Sequence, residues 1–360
     1  MQFGVGVSTH ITNWEIVRYL EELGYDRAWF GDSQMIWSDC YATLALAAQN
    51  TRRIKIGTGV SIAGTRIAPV TAHSIASINQ VAPGRVFLGL GTGHTAMRVM
   101  GQNPIKTNEF REYLRVVRAL LDGKAVDYTY RGQTREIQFI HRDRHFINLD
   151  NHIPIYTAAN GPKALEATGE LADGWITVGG KPEVAKPKLE LIRKGAERAG
   201  RSLPADFHTA FITTSCVLRP GDKLTDERIV DETGSWVMCE LHFFYEIWKQ
   251  SGEKDDLIPP YFANVWDDYL ERVKNFSLPE NARHRQIHDG HLVYVQPEER
   301  RFVTPEAIRA SCVIGTPEEI VAQLRAIEEA GIREITLWPP MDHERRVFRD
   351  LAELVMPSFR

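Results

Sequence analysis

The sequence predicts an α/β protein, a single (β/α)8 barrel spanning residues 1–360 as one domain with two insertions. Three observations point there. Short β-branched or apolar runs alternate with helical periodicities and give eight strand candidates. A helix, a glycine stop and a buried strand recur at both ends of the chain, which suits a closed ring better than two unrelated domains. The length of 360 residues exceeds the ~250 of a plain barrel by roughly a hundred, the size of two insertions.

Gln2 to Val7 reads as the first strand. Trp14 to Leu23 then places Ile16, Val17, Leu20 and Leu23 on one helical face, with Asn13 as N-cap and Gly24 as the stop. Further strands are expected at Arg27–Phe30, Ile54–Val60, Val86–Leu90, Ile155–Ala158 and Trp175–Val178, with a longer one near Phe207–Val217 and the last at Glu334–Trp338. The segment from Glu21 to Phe30 is echoed from Glu328 to Leu337. The second copy follows a helix start in which Thr316 caps, Pro317 opens the first turn and Glu319 completes a capping box.

The insertions fall near residues 122–152 and 240–304. In the first, Val126, Tyr128 and Tyr130, then Ile137, Phe139 and Ile140, alternate with polar residues as in a hairpin. The second holds an amphipathic helix whose Tyr261, Phe262, Val265, Trp266, Tyr269, Leu270 and Val273 share a face. Such a stripe reads as packing against the barrel or another subunit rather than as a substrate lid. A homodimer or higher homo-oligomer is expected.

A net charge of −4, with acidic and basic residues interspersed, offers no face for nucleic acid and no polybasic segment for a membrane. The expected partner is a small-molecule substrate. Cys40, Cys216, Cys239 and Cys312 are too scattered for a zinc site or a disulfide framework. MQFGVGVSTH has none of the marks of a signal peptide and no run of ~18 apolar residues occurs, so a cytoplasmic protein is expected.

In such barrels the site lies at the C-terminal strand ends. Ser8-Thr9-His10 end strand one, Asp32-Ser33 follow strand two, Thr58 to Ser61 strand three, and Gly91-Thr92-Gly93-His94-Thr95 strand four. This glycine run lacks the GxGxxG spacing of a dinucleotide fold, but lets backbone approach a ligand closely. After strand five, Thr157 to Lys163 reads as a turn leading into a helix N-terminus, suited to phosphate. His10 is read either as a site residue or as a capping and packing one. Asp32 is either a cofactor contact, a turn-forming residue or an ion-pair partner; Arg66 and Arg98 either neutralise phosphate or are solvated; Met35 and Trp37 either wall an apolar pocket or belong to the core.

Two segments carry a resemblance: Gly57–Gly93, containing TGVSIAGTRIAPVTAHSIASINQVAPGRVFLGLGTG, and Pro154–Val178, PIYTAANGPKALEATGELADGWITV. They resemble the luciferase-like flavin oxidoreductases, and within them the deazaflavin (coenzyme F420) branch typified by methylenetetrahydromethanopterin reductase. The resemblance covers the first half of the chain and the final helix and strand, not the second insertion. It implies a TIM barrel of the bacterial luciferase-like type, with F420 or FMN across its mouth and a bulge after strand three whose cis peptide would fall at Gly59–Val60. Asp32 and Ser33 would approach the pyrimidine side of the ring, with Gly59, Val60 and Ser61 in the bulge behind it. Gly91, Gly93, His94 and Thr95 would flank cofactor or substrate, and Ala158, Ala159, Asn160, Gly161, Pro162, Lys163 and Thr177 would border the phosphate-bearing tail. Deazaflavin dehydrogenases of this superfamily commonly place a histidine after the strand-two aspartate and a glutamate after the strand-four glycines. Here those positions are Ser33 and His94.

The expected activity is hydride transfer or oxygen activation on a small, mostly apolar substrate. The catalytic candidates are His94, Asp32 and His10, with His94 exchanging a proton near neutrality or serving as a structural loop histidine. The alternatives are an FMN monooxygenase fed by a separate flavin reductase and a non-catalytic flavin-binding protein. A metal-dependent hydrolase using His10, Asp32 and His94 is disfavoured because strand one carries no His-x-His pair.

Overall fold

The computed structural model describes residues 1–179 and 181–360. Eight parallel strands close into a barrel: β1 (Gln2–Val7), β2 (Arg27–Phe30), β3 (Lys55–Thr58), β4 (Val86–Gly91), β5 (Ile155–Ala158), β6 (Gly174–Val178), β7 (His208–Thr213) and β8 (Glu334–Leu337). Pairing of β1 with β8 closes the ring, Gln2 opposite Glu334 and Val5 opposite Leu337. The helices outside it are α1 (Ile16–Leu23), α2 (Cys40–Asn50), α3 (Ala68–Val81), α4 (Thr107–Leu121), α5 (Pro162–Leu171), α6 (Ala185–Arg198), α7 (Pro317–Glu329) and α8 (Glu344–Leu354).

Local signals explain most boundaries. Gly24 ends α1 in the left-handed region at φ 86°, where a side chain would be strained. Thr316 and Glu319 form the capping box that opens α7, with Pro317 in its first turn. Asn13 caps nothing. It sits in a 3₁₀ turn, Ile11–Asn13, with its N–H donating to the His10 carbonyl, and α1 starts only at Ile16. Two expected strands are shorter than their apolar runs. The third stops at Thr58 before a two-residue strand, Ser61–Ile62, and the seventh ends at Thr213. Ser215–Val217 then leaves the barrel to pair with Val313–Gly315 in a separate two-stranded sheet.

Inside the barrel Trp29, Phe87, Tyr156, Ile176 and Ala210 pack together. Beside them lies the fully buried Glu334 carboxylate. Arg27 Nη1 donates to its Oε2 at 2.7 Å, and Trp29 Nε1 and Thr336 Oγ1 each donate to Oε1 at 2.7 Å. Burial alone would raise this carboxyl, but Arg27, His208 and the hydrogen bonds hold it down at about 2. Space for the side chains above β1 comes from glycine: a Cβ on Gly4 would lie 2.1 Å from Glu334 Oε1, and one on Gly6 2.1 Å from the Trp338 ring.

The segment at 122–152 carries an antiparallel hairpin, Val126–Tyr130 with Gln133–Ile137, turned by Arg131 and Gly132 at φ 51° and 77°. A two-residue turn with both φ positive matches the twist of its strands. The second added region begins with a 24-residue helix, Glu227–Gln250, and so starts before Glu240: the apolar stripe of Ile229, Val230, Val237 and Leu241 runs unbroken through that point. Phe262, Trp266, Tyr269 and Val273 pack with this helix in a hydrophobic cluster of their own, which also holds Trp338. Among the described residues no helix is long and apolar enough to cross a membrane.

Candidate active site

The C-terminal strand ends and the second added region enclose one cavity of about 1210 Å³. Asp32 and Ser33 line it after β2, Gly59 and Val60 after β3, Gly91, Gly93, His94 and Thr95 at and after β4, and Ala158, Ala159, Asn160 and Gly161 at and after β5. The Gly59–Val60 peptide is cis. Val60 lies so close over β4 that a Cβ on Gly91 would sit 2.7 Å from Val60 Cγ2. These residues leave a wall of small and branched apolar groups, a surface fit for a flat ring.

Asp32 borders this wall, but its carboxylate is engaged by protein. Arg66 Nη1 donates to Oδ2 at 2.5 Å, Ser61 Oγ at 2.9 Å and the Ile62 N–H at 3.4 Å, while Gln34 Nε2 donates to Oδ1 at 2.6 Å. The side chain therefore ties the strand-two loop to the strand-three bulge, which realises the ion-pair reading of it. Ser61 is fully buried beneath that tie, with its hydroxyl also 2.9 Å from Tyr41. It supports the wall rather than lining it.

At the strand-five end the first turn of α5 borders the cavity through Gly161 and Ala164, and no side chain caps it. Lys181 and Lys188 line the same region. Asn160 Oδ1 accepts from Thr177 Oγ1 at 2.5 Å and from Lys188 Nζ at 2.9 Å. Uncapped N–H groups and two ammonium groups suit an anionic ligand tail. Thr177 does not line the cavity itself and reaches this end through Asn160 and Lys188. Pro162 and Lys163 are exposed beyond the rim, because the helix turns their side chains away from the mouth.

His94 begins a short helix, His94–Val99, and opens into the cavity with its ring edge-on to Phe243, centroids 5.3 Å apart. The ring is exposed to the open cavity, yet desolvation by the surrounding protein, and then the positive charge of Arg98, push its pKa down to about 4. That direction runs against the expectation of an imidazole titrating near neutrality. Arg98 Nη1 lies 2.9 Å from His94 Nδ1, and a guanidinium can only donate. The neutral ring must therefore carry its proton on Nε2, as a hydrogen-bond donor. Arg98 is held by Glu246 at 3.2 Å, and Glu246 by His288 at 2.9 Å, while Arg66 is held by Asp32, so each arginine already has an acid partner within the chain. His10 is exposed outside the cavity, its Nδ1 3.0 Å from Thr12 Oγ1. The 3₁₀ turn that follows β1 carries it away from the mouth. Among the described residues no three His, Cys, Asp or Glu side chains converge as a metal would need.

The other half of the cavity was not foreseen. Trp236, Cys239, Glu240, Phe243, Phe244 and Gln250 line it from one face of the Glu227–Gln250 helix, joined by Tyr261, His291, Ser311 and Trp338. Glu240 Oε2 accepts from Ser311 Oγ at 2.6 Å and from Tyr261 OH at 3.2 Å. Burial raises its pKa, an effect these two hydrogen bonds only partly offset. Two signals existed in the sequence: one acid between aromatic residues at helical spacing, and a tryptophan directly after the last strand, where barrel sites collect residues.

Residues 8–334 match the luciferase-like monooxygenase family. The chain is 37% identical over 185 residues to 5,10-methylenetetrahydromethanopterin reductase of Methanolobus tindarius, a match covering 50% of this chain and 54% of that protein. In fold it is similar over its whole length, and the whole of theirs or nearly so, to two solved structures. One is the coenzyme F420 dependent tetrahydromethanopterin reductase of Methanopyrus kandleri, with a TM-score of 0.70 at 20% identity and 100% of both chains covered. The other is the oxygenating constituent of 3,6-diketocamphane monooxygenase of Pseudomonas putida in complex with FMN, with a TM-score of 0.64 at 16% identity, 99% of this chain and 98% of that one covered. With a family match across nearly all of the barrel, the chain belongs to the luciferase-like monooxygenase family of flavin- and F420-dependent oxidoreductases.

Proposed function

We propose that the protein is an F420-dependent oxidoreductase acting on a small, mostly apolar substrate in the aromatic half of the cavity. The observation that carries this reading is the joining, in one cavity, of an anion-suited end, a flat apolar wall and an aromatic chamber. The donor set fits a deazaflavin: the uncapped first turn of α5 with Lys181 and Lys188 would hold its anionic tail, and Gly59, Val60, Gly91 and Ala158 would back its ring. When bound, such a cofactor accepts or donates a hydride. The chain supplies the rest. Aromatic walls keep water from the reacting carbon, and His94 presents a neutral N–H to a substrate oxygen or nitrogen. The 32% identity over 80% of this chain to the F420-dependent glucose-6-phosphate dehydrogenase of Nocardia farcinica supports the F420 choice over FMN.

Titration with F420 and with FMN tests the reading. F420 is expected to bind in the micromolar range or tighter, and Lys188→Met to weaken it about tenfold by removing one charge-assisted contact. Binding of FMN alone would move the assignment to a monooxygenase supplied by a separate reductase. Binding of neither by folded protein would overturn it.

A further inference from the structure

The aromatic half of the cavity has a charge problem that the protein does not solve by itself. Glu240 Oε2 has two hydroxyl donors, yet among the described residues Oε1 has no hydrogen-bond partner and the carboxylate forms no ion pair. The two lysines that line the cavity belong to its anion-suited end rather than to this acid: Lys181 Nζ donates to the Arg309 carbonyl at 2.7 Å and Lys188 Nζ to Asn160, and neither pairs with Glu240. His291, on the same wall, is held neutral by burial and by its neighbours His288 and His242. Among the described residues no cation inside the chamber is paired with the acid.

Its surroundings are built to favour one. Trp236 lies one helical turn before Glu240 and Phe244 one turn after it, so all three share a face of the long helix. Tyr261 sets its hydroxyl on the carboxylate, and Ser311 ties the group together, its hydroxyl bonding Glu240 while its carbonyl accepts from Trp236 Nε1 at 3.2 Å. Aromatic faces attract cations, most strongly away from water, and a carboxylate among them adds a direct partner. Burial raises the Glu240 pKa, as expected of a carboxylate whose partner is not part of the chain.

We propose that the substrate of this enzyme carries a cationic nitrogen, a protonated amine on an apolar frame, which Glu240 pairs with inside a cage of Trp236, Phe244 and Tyr261. The proposal rests on the reading of the cavity as a cofactor-and-substrate site, and names the substrate's charge.

The test uses three probes sharing one frame: benzylammonium, benzyl alcohol and phenylacetate. Each is titrated by calorimetry at neutral pH into the full chain, with and without F420. The expected order is cation, then neutral, then anion, with the ammonium bound about tenfold or more tighter than the alcohol. Glu240→Gln keeps the shape and should bring the ammonium and the alcohol to within about twofold. An alcohol bound as well as the ammonium, a preference unchanged in Glu240→Gln, or no binding of the ammonium at millimolar concentration would overturn the proposal. The wild-type comparison stands even if the variant folds poorly. The parallel F420 titration keeps the two readings apart: cofactor binding without cation preference defeats only this proposal, and cation preference without cofactor binding defeats only the redox reading.

Discussion

Two glutamates, Glu334 buried inside the barrel and Glu240 half-buried on the chamber wall, show how differently the barrel and the added region are built. Glu334, inside the barrel, is surrounded by Arg27, His208, Trp29 and Thr336 and stays ionised down to about 2. Glu240, in the chamber above, has two hydroxyls and no cation, and its pKa moves up. Burial costs both carboxylates their hydration; what differs is whether the protein itself supplies the compensation. A closed network stabilises the fold, whereas an open one is left for a ligand to complete.

The contrast is sharpest in stability. Glu334→Gln leaves Arg27 buried without its charge partner and should destabilise the protein by about 3–5 kcal/mol, measured by urea unfolding. A smaller effect is expected at Gly6, where the methyl of Gly6→Ala would be driven into the Trp338 ring. Overpacking there should cost about 1–3 kcal/mol and also alter probe binding in the chamber, since Trp338 belongs to its wall. Equal stability and unchanged binding in Gly6→Ala would separate barrel from chamber altogether. Glu240→Gln removes a charge that forms no ion pair among the described residues, and its stability should stay within about 1 kcal/mol of the parent. If it lost as much as Glu334→Gln, the chamber would be a closed network after all.

The pH dependence of the two acids should carry opposite signs. Glu334 has a lowered pKa, so its contribution is complete above the ordinary value of 4.5 and is lost as pH falls from there to about 2. Glu240 has a raised one, so its contribution is complete below 4.5 and is lost as pH rises through its folded value. Stability profiles of the two glutamine variants, each subtracted from wild type, should therefore slope in opposite directions. His94 offers the finest check. Nitrogen NMR should show a neutral ring protonated at Nε2 from neutral pH down to about 4; a ring titrating near 6.5 would return it to the role of proton carrier.

How much of this was readable from the chain depended on whether a signal was local. The strands, the Thr316 capping box and the Gly24 stop were legible because a few adjacent residues decide them. The barrel half of the cavity was legible because strand ends are fixed by the strands, and because TGVSIAG and YTAANGPK stand at two of them. What sequence could not weigh was competition for a side chain. For Asp32 the sequence leaves a cofactor contact and an ion pair both open until Arg66, distant in sequence, arrives at 2.5 Å, and for His94 a proton carrier and a structural histidine until Arg98 claims its Nδ1. The chamber was missed for a related reason: an apolar stripe states that a helix is buried, not whether protein or ligand covers a given stretch of it.

The glycine at position 6 has one more consequence. By leaving room for the Trp338 indole it allows Trp37 to stack on it, centroids 5.7 Å apart and planes within 20°. Two indoles that close and nearly parallel couple their electronic transitions, and both border the cavity. The near-ultraviolet circular dichroism of the protein should therefore contain a paired signal from these rings, one that a ligand wedged against either would reshape and that Trp37→Phe would abolish. The enzyme carries its own optical gauge of whether the chamber is filled.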